Sequence, residues 1–254
     1  MTGEPLLSVR NLALNFGGVQ AVRDVSFDVT SGSITGLIGP NGAGKSSVLT
    51  IVSGFVAAKS GSVHFAGELV SGRPPFALAR LGIVRTFQLS SEFERLSVLE
   101  NLLVASPHQS GERLRDALTG RWRWRDQEAA AVTRARELLE RFEIPAKEDD
   151  LAGDLSGGQK RLLELARALM AEPKLLLLDE PMAGVNPALI RRIETHLLAL
   201  RDEGLSMLMV EHELGVVERL CDPVIVMAQG RVLSSGTMAE LRTNQGVLDA
   251  YLAG

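Results

Sequence analysis

The feature that most constrains this chain is the segment of residues 39–46, which reads Gly-Pro-Asn-Gly-Ala-Gly-Lys-Ser. It matches the G-x-x-x-x-G-K-[ST] pattern of a phosphate-binding loop, the Walker A motif. The apolar run Ile34–Ile38 before it suits a buried strand, and residues 47–52 after it can open a helix. Strand, loop and helix in this order are the context that the motif requires, so the segment predicts an α/β fold that binds a nucleoside triphosphate.

Each part of this loop has a chemical task in that interpretation. The glycines let backbone N–H groups approach phosphate oxygens, and the N-terminus of the next helix adds a partial positive charge. Lys45 is expected to reach the β- and γ-phosphates of ATP, and the Ser46 hydroxyl is expected to bind Mg²⁺. The predicted nucleotide-binding residues of the loop are Gly39, Pro40, Asn41, Gly42, Ala43, Gly44, Lys45, Ser46 and Ser47.

Length and composition exclude several other classes of protein. With 254 residues the chain can form an α/β core and a smaller subdomain, and its net charge of −4 argues against nucleic acid as a partner. The single cysteine, Cys221, excludes an internal disulfide, and we expect it to pack as a small apolar residue near a helix end. No run approaches the ~18 apolar residues of a membrane span, and the start lacks a signal-peptide pattern. We therefore expect a cytoplasmic chain that can dock onto a membrane protein.

The hydrophobic patterns divide the chain into a core and an insertion. The early strands are joined by short turns, which predicts an antiparallel β subdomain. Apolar runs at residues 175–178 and 206–210 are typical of buried strands in a mixed sheet. From Ser97 to about residue 143 the spacing becomes helical. We predict one domain over residues 1–254, with a phosphate-loop NTPase core (residues 1–88 and 156–254) and an inserted helical subdomain (residues 89–155).

A basic segment inside the predicted insertion interleaves Trp122 and Trp124 with arginines. Two interpretations remain open for it. The indoles cover a neighbouring helix, or the segment contacts a membrane subunit or lipid headgroups.

Polar residues that follow apolar strands supply candidates for catalysis. Residues 175–178 are four leucines that lead into Asp179 and Glu180 at the carboxyl edge of the sheet, where open α/β sheets bind ligands. Asp179 is typical of the carboxylate on the metal side, and Glu180 can act as general base on the attacking water. Gln88 also follows an apolar strand and can meet both Mg²⁺ and water, and His212 can donate to the γ-phosphate. The predicted metal ligands are Ser46, Gln88 and Asp179, and the predicted catalytic residues are Glu180, His212 and Gln88.

Two further segments are candidates for nucleotide contacts. Residues 155–159 read Leu-Ser-Gly-Gly-Gln, and Ser156 is placed to cap the helix that follows. The free N–H groups of a helix N-terminus make this segment a second anion site. Phe16 precedes two glycines and can stack on a base.

These motifs, in this order, resemble the nucleotide-binding subunit of ABC transporters, from about Leu7 to Leu252. Leu-Ser-Gly-Gly-Gln is the most specific of them, since other phosphate-loop families lack it. The resemblance implies that Phe16 stacks on adenine, that Gln88 couples the site to a membrane partner, and that His212 is the switch histidine. It also implies that the signature segment contacts the γ-phosphate bound to a second copy, with the nucleotide contacts assigned to Ser156, Gly157, Gly158 and Gln159.

The resemblance also implies the assembly. Two ATPase subunits, identical or different, close head to tail around two ATP molecules with Mg²⁺, and hydrolysis releases them. The expected partners are transmembrane permease subunits and, indirectly, a solute-binding protein. The expected location is peripheral, on the cytoplasmic face of the inner (plasma) membrane.

A narrower resemblance concerns the cargo. Residues 85–88, 99–105 and 183–187 are similar to one ATPase of the branched-chain amino acid importers. Relatives that import urea or short amides share these features, so related small polar solutes remain open. Asn186 replaces the aspartate common in ABC ATPases, and Lys160 stands where glutamine or glutamate is frequent. The alternatives are the ATPase of lipopolysaccharide export and a soluble, non-transport ABC protein.

The segment of residues 89–96 is a candidate dock for a cytoplasmic helix of the membrane subunit. Phe93 is its best candidate anchor, because buried aromatic residues often dominate interfaces. The alternative is that Phe93 packs under its own loop.

Overall fold

The computed structural model describes residues 5–86, 93–107 and 121–252 of the chain. Its strands are β1 (Leu7–Phe16), β2 (Val19–Val29), β3 (Ile34–Ile38), β4 (Ser60–Phe65), β5 (Glu68–Leu69), β6 (Ile83–Arg85), β7 (Leu175–Asp179), β8 (Ser206–Val210), β9 (Val224–Ala228) and β10 (Arg231–Gly236). Its α-helices are α1 (Lys45–Val52), α2 (Pro75–Leu81), α3 (Val98–Val104), α4 (Arg121–Arg141), α5 (Gly157–Met170), α6 (Pro187–Asp202), α7 (Leu214–Leu220), α8 (Met238–Arg242) and α9 (Gln245–Leu252). Short 3₁₀ helices cover Pro145–Lys147 and Ala152–Asp154.

The first sheet is antiparallel, with the strand order β2-β1-β4-β5. In its centre Leu7 of β1 pairs with Val29 of β2 on one side and with Phe65 of β4 on the other. Buried and more exposed residues alternate over the first part of β1, as in a sheet with one face on the core. The predicted antiparallel subdomain is confirmed, since β1 ends at Phe16 and β2 begins at Val19 after a two-residue turn.

The second sheet carries the phosphate loop and has the order β10-β9-β3-β8-β7-β6. Strands β9, β3, β8, β7 and β6 run parallel, and β10 pairs antiparallel with β9. Every residue of β3 and β8 is buried, as expected for strands covered on both faces. The sheet is therefore mixed, and the predicted α/β fold class is confirmed.

The hydrophobic core that supports this sheet also includes the antiparallel sheet and α1. Leu7 and Val29 of the first sheet belong to the same buried cluster as Leu177 and Val210 of the second. Val48 of α1 joins that cluster and is fully buried. The phosphate loop therefore starts from a strand and ends in a helix that are both fixed by the main core.

A second compact unit contains α3, α4 and α5. It spans the described residues between Thr86 and Pro173, together with Val185–Leu189. This unit is larger than the predicted insertion of residues 89–155, because α5 packs on α3 and α4 and so joins them. Inside it, the buried Asn101 side chain donates hydrogen bonds to the backbone oxygens of Phe93 and Ser97 at 3.1 and 3.0 Å.

Cys221 is the C-cap residue of α7, a helix whose range the sequence patterns do not predict. It is buried, and burial raises the pKa of its thiol to about 12, with the nearby Glu211 charge contributing. A Cβ on Gly36 of β3 would lie 3.1 Å from the Cys221 Cβ, so the thiol packs tightly against that strand. The expected role of Cys221 as a small packed residue near a helix end agrees with this position.

None of the helices in the described ranges combines the length and the apolar character that a membrane span requires.

Candidate functional site

The phosphate loop has a backbone that only glycine can adopt at two of its positions. Gly39 has φ +148°, and a Cβ there would lie 2.0 Å from the Met227 carbonyl oxygen. Gly44 has φ +99°, and a Cβ there would lie 2.5 Å from the Ala21 carbonyl oxygen. These close approaches explain why the loop needs glycine at both ends of the turn, independently of any ligand.

The helix that leaves the loop begins at Lys45, and its N-cap residue, Gly44, provides no side-chain hydrogen bond. Lys45 is buried, and its Nζ donates to the carbonyl oxygens of Gly39 and Pro40 at 2.7 and 2.9 Å. Burial lowers the pKa of Lys45, and the charges of Glu180 and Asp179 oppose that shift. The loop therefore curls around a cation at an uncapped helix N-terminus, which is the arrangement expected for a triphosphate site.

Asp179 ends β7 and lies in a largely buried ion pair. Its Oδ2 accepts a hydrogen bond from Arg85 Nη2 at 2.8 Å, and the two side chains are 11% and 12% exposed. Its Oδ1 is buried and accepts no hydrogen bond from any residue that the structure describes. A buried carboxylate oxygen without a donor suits a hard cation, so the predicted role of Asp179 as an Mg²⁺ ligand fits this geometry.

Arg85 lies in the candidate site, although the sequence patterns include it only as part of a family motif and assign it no role. Its Nη1 lies 3.2 Å from both Thr50 Oγ1 and Ser53 Oγ on α1, while Nη2 holds Asp179. Arg85 thus connects β6, β7 and the helix of the phosphate loop. Nothing in the local pattern around Arg85 could reveal Asp179, which is 94 residues away.

Glu180 and His212 follow neighbouring strands, and the structure brings them into contact. His212 Nε2 lies 2.6 Å from Glu180 Oε1, and the side chains are 42% and 27% exposed. Glu180 has φ +50°, a left-handed conformation that is uncommon outside glycine, and its N–H donates to the Val210 carbonyl oxygen at 2.9 Å. A partly exposed carboxylate beside an imidazole can accept a proton from water and pass or share it through a hydrogen bond.

The signature segment of residues 155–159 forms the N-terminus of α5 in the second unit. Ser156 caps the helix as predicted: its Oγ accepts from Gln159 N at 3.3 Å, and Gln159 Oε1 accepts from Ser156 N at 2.9 Å. A Cβ on Gly158 would lie 2.4 Å from Leu189 Cδ2, whereas a Cβ on Gly157 would meet nothing within 4 Å. The space beside Gly157 is therefore open, whereas the absence of a side chain at Gly158 lets Leu189 pack against the helix start.

Asn186, which replaces the common aspartate, has a local role of its own. Its Oδ1 accepts a hydrogen bond from the backbone N–H of Leu189 at 3.0 Å, at the start of α6. Asparagine caps helices about as well as aspartate, so this position tolerates the exchange without losing the cap.

Of the remaining predicted residues, the structure describes Phe16 and Phe93 but not Gln88. Phe16 ends β1 and is 53% exposed, so its ring is accessible for stacking. Phe93 is half-buried, and the Arg167 guanidinium carbon lies 5.2 Å from its ring centroid, which supports the packing interpretation for Phe93. Gln88 and residues 89–92 lie outside the described residues, as do the side chains of Trp122 and Trp124.

Glu211 is a second residue that the sequence patterns did not single out. It follows β8 directly and is only 4% exposed, so a carboxylate is buried next to His212. A carboxylate at the end of a buried strand is the pattern that makes Asp179 a candidate, and Glu211 has the same pattern after β8.

A comparison with known families places most of the chain in one of them. The family model described as ABC transporter matches residues 22–183.

Two named relatives are similar to this chain over nearly its full length. A probable branched-chain amino acid transport ATP-binding protein, LivG, of Archaeoglobus fulgidus is 42% identical over 247 residues, which cover 97% of this chain and 95% of that protein. The high-affinity branched-chain amino acid transport ATP-binding protein LivG of Escherichia coli K12 is 36% identical over 250 residues, with 98% of each chain covered.

Solved structures agree with these matches. A nucleotide-free ATP-binding cassette from an ABC transporter superposes with a TM-score of 0.85 at 35% identity, covering 97% of this chain and 98% of that one. The ADP conformation of an ATP-binding cassette of an ABC transporter superposes with a TM-score of 0.84 at 34% identity, covering 99% of this chain and 100% of that one.

Proposed function

Because the chain belongs to the ABC transporter family, we propose that it is the ATP-binding and ATP-hydrolysing subunit of an importer for branched-chain amino acids or related small polar solutes. The family predicted from the phosphate loop and the Leu-Ser-Gly-Gly-Gln segment is confirmed. The names of the relatives favour amino acid import over lipopolysaccharide export or a soluble, non-transport role.

The observation that carries the proposal is the set of polar groups gathered at the carboxyl ends of β3, β7 and β8. The loop after β3 supplies Lys45, β7 leads to Asp179 and Glu180, and His212 follows β8. These strands are neighbours in the order β3-β8-β7, so their ends share one edge of the sheet. Ligands of open α/β sheets bind at such an edge.

In the proposed reaction, Lys45 and the loop N–H groups hold the β- and γ-phosphates of ATP. Glu180 accepts a proton from the attacking water as the bond from the γ-phosphorus to the bridging oxygen breaks, which yields ADP and phosphate. His212 holds Glu180 and donates toward the γ-phosphate. Ser46, Asp179 and Gln88 would hold Mg²⁺, which would supply positive charge against the phosphates.

The proposed assembly has two ATPase subunits, identical or different, arranged head to tail. Ser156, Gly157, Gly158 and Gln159 of one subunit then contact the nucleotide on the phosphate loop of the other. The exposed Gly157 supports this role, since a phosphate can approach its N–H without steric hindrance. The complex includes transmembrane permease subunits, receives solute from a binding protein, and lies on the cytoplasmic face of the membrane.

The proposal is tested in a reconstituted transporter, where wild-type uptake tests the cargo and Glu180→Gln tests the catalytic base. The chain is assembled in vesicles with its permease subunits and solute-binding protein, and ATP-driven uptake of leucine, isoleucine and valine is compared with uptake of urea and acetamide.

The glutamine of Glu180→Gln keeps the shape of Glu180 but is no base, so we expect ATP hydrolysis and uptake to fall by about 10²–10⁴-fold in this variant. ATP binding should be retained, because Lys45 and Asp179 are intact.

Near-normal turnover by Glu180→Gln would contradict the assignment of the base. Uptake of urea or acetamide in place of the amino acids would retain the ATPase assignment and change the cargo.

A further inference from the structure

Glu211 is a buried carboxylate whose two oxygens are both used by backbone N–H groups. Its Oε1 accepts from Met182 N at 2.9 Å, and its Oε2 accepts from His212 N at 2.9 Å. The Glu213 N–H lies 3.5 Å from the same Oε2. A buried charge is costly unless hydrogen bonds compensate it, so this side chain needs both contacts to remain in place.

The two segments that Glu211 joins are the ones that carry the proposed catalytic pair. Met182 lies two residues after Glu180, and His212 is the next residue after Glu211. A second bond connects the same segments, from Glu180 N to the Val210 carbonyl oxygen at 2.9 Å. One backbone bond and one bond to the Glu211 carboxylate thus connect the segments that follow β7 and β8.

The backbone of Glu180 needs such support. Its φ of +50° is unfavourable for a residue with a side chain. Conformations of this kind cost roughly 1–3 kcal/mol and persist where the surroundings restrain them. The bond from Glu180 N to Val210 and the bond from Met182 N to Glu211 restrain the backbone at Glu180 and two residues after it.

We propose that Glu211 is a positioning residue, whose carboxylate fixes the backbone of both segments and so holds Glu180 and His212 in contact. This inference rests on the proposed roles of Glu180 and His212 in ATP hydrolysis. Glu211 itself does not touch the reacting atoms and acts through the two residues that do.

The chemistry of the side chain explains why a carboxylate stands here. An ionised carboxylate only accepts hydrogen bonds, and both of its partners are N–H donors. A glutamine would turn its NH₂ group toward one of these two donors, so one bond would be lost even though the shape is unchanged. The remaining bond would also lose charge assistance, which roughly doubles the strength of such bonds.

The first test compares Glu211→Gln with Glu194→Gln in the assembled transporter. Glu194 is a matched control, because it is also a buried carboxylate, is 8% exposed, and pairs with Arg219 on α7. We expect Glu211→Gln to lower kcat by about 100-fold, the order of loss that a 1 Å misplacement causes. The KM for ATP should stay within about twofold, since ground-state binding is unaffected. Both variants should lower Tm, and Glu194→Gln should leave kcat unchanged.

The second test does not depend on ATPase activity. Hydrogen exchange of the Met182 and His212 amides in the wild-type chain should be slow, because both amides bind Glu211. In Glu211→Gln one of the two should exchange faster, while amides of β3 remain protected. This measurement also separates the inference from the proposed function, since it does not depend on which residues catalyse hydrolysis.

Two results would overturn the proposal. One is a Glu211→Gln variant with the Tm loss of Glu194→Gln and an unchanged kcat, which would make Glu211 a purely structural residue. The other is rapid exchange of the Met182 and His212 amides in the wild type, which would show that the carboxylate does not hold them.

Discussion

The N-termini of α1 and α5 are both candidate phosphate sites, but they are built differently. At α1 the N-cap is Gly44, which offers no side-chain oxygen, and the buried Lys45 donates to the loop carbonyls. At α5 the N-cap is Ser156, which forms a reciprocal capping box with Gln159 at an exposed position. One helix start is left open around a cation, and the other is closed by its own side chains.

This difference indicates how each site is completed. The first turn of α1 has N–H groups that no side chain caps, so a phosphate bound by the same chain can satisfy them. At α5 the cap satisfies the N–H of Gln159, and the N–H groups of Gly157 and Gly158 have no partner within the helix. We infer that α5 is a stable helix start by itself and adds a phosphate contact only when a nucleotide is brought to it, as in a head-to-tail pair.

The surroundings of the two helices differ as well. α1 is tied to β6 and β7 through Arg85, which bonds Thr50, Ser53 and Asp179 in a largely buried cluster. α5 is tied to its own unit by side chains nearer the surface, such as Lys160, whose Nζ lies 3.6 Å from Glu94 Oε1. Loss of an anchor should therefore cost more stability at α1 than at α5.

The largest effect is expected from Ser156→Arg. The added cation blocks the start of α5, so hydrolysis should be abolished while ATP binding to the phosphate loop is retained. Lys45→Ala should also abolish hydrolysis, in this case by loss of ATP binding. ATPase assays with nucleotide-binding measurements on each purified variant check both outcomes.

Mixing the two inactive variants tests whether the sites are shared between chains. A mixed dimer contains one doubly damaged site and one intact site, so partial activity should return. If one chain supplied both sites, the mixture would stay inactive. Full activity of Ser156→Arg alone would show that hydrolysis does not need the start of α5, and would contradict its proposed contact with the nucleotide.

The next effect in size is the loss of the Arg85 anchor. Arg85→Ala leaves the Asp179 charge buried without its partner, which should cost roughly 3–5 kcal/mol of unfolding free energy. Mg²⁺ with nucleotide should restore part of that stability, because the metal supplies positive charge beside Asp179. Urea unfolding with and without Mg²⁺ and nucleotide measures both quantities.

Arg10→Ala is the matched control for this experiment. Arg10 pairs with Asp28 in the antiparallel sheet, where the side chains are 44% and 46% exposed. Exposed pairs contribute about 0–1 kcal/mol, so this variant should be nearly as stable as the wild type. Equal losses for the two variants would show that Arg85 is no special anchor.

The smallest effect is expected from Gly157→Ala at the start of α5, and Gly44→Ala at the start of α1 is its comparison. Gly44→Ala forces a side chain into a left-handed backbone, at a cost of roughly 1–3 kcal/mol, and against the Ala21 carbonyl oxygen. Gly157→Ala meets open space and should leave Tm unchanged or slightly raised. Thermal unfolding of the two isolated variants distinguishes them, and a similar fall in Tm for both would contradict the difference described above.

Local patterns were sufficient for many elements of the fold. The apolar runs at residues 34–38 and 206–210 have the bounds of β3 and β8, and the run at residues 175–178 lies within β7. The cap at Ser156 was also predictable, because a cap depends on neighbours within one turn. The helix α7 is not predicted, although its buried residues Val216, Val217 and Leu220 stand at helical spacing, because its seven residues are shorter than the window of about 11 residues in which a helical period can be established.

The sequence by itself determined the family and the α/β class, and it supplied most residues of the candidate site, because a phosphate loop and buried strands are encoded in adjacent residues. Only the tertiary structure decided which of those residues meet. Arg85 reaches Asp179, and Glu211 reaches Met182, because β6, β7 and β8 are neighbours in the second sheet. Strand order is set by long-range packing, so contacts that cross between strand ends leave no periodic signal along the chain.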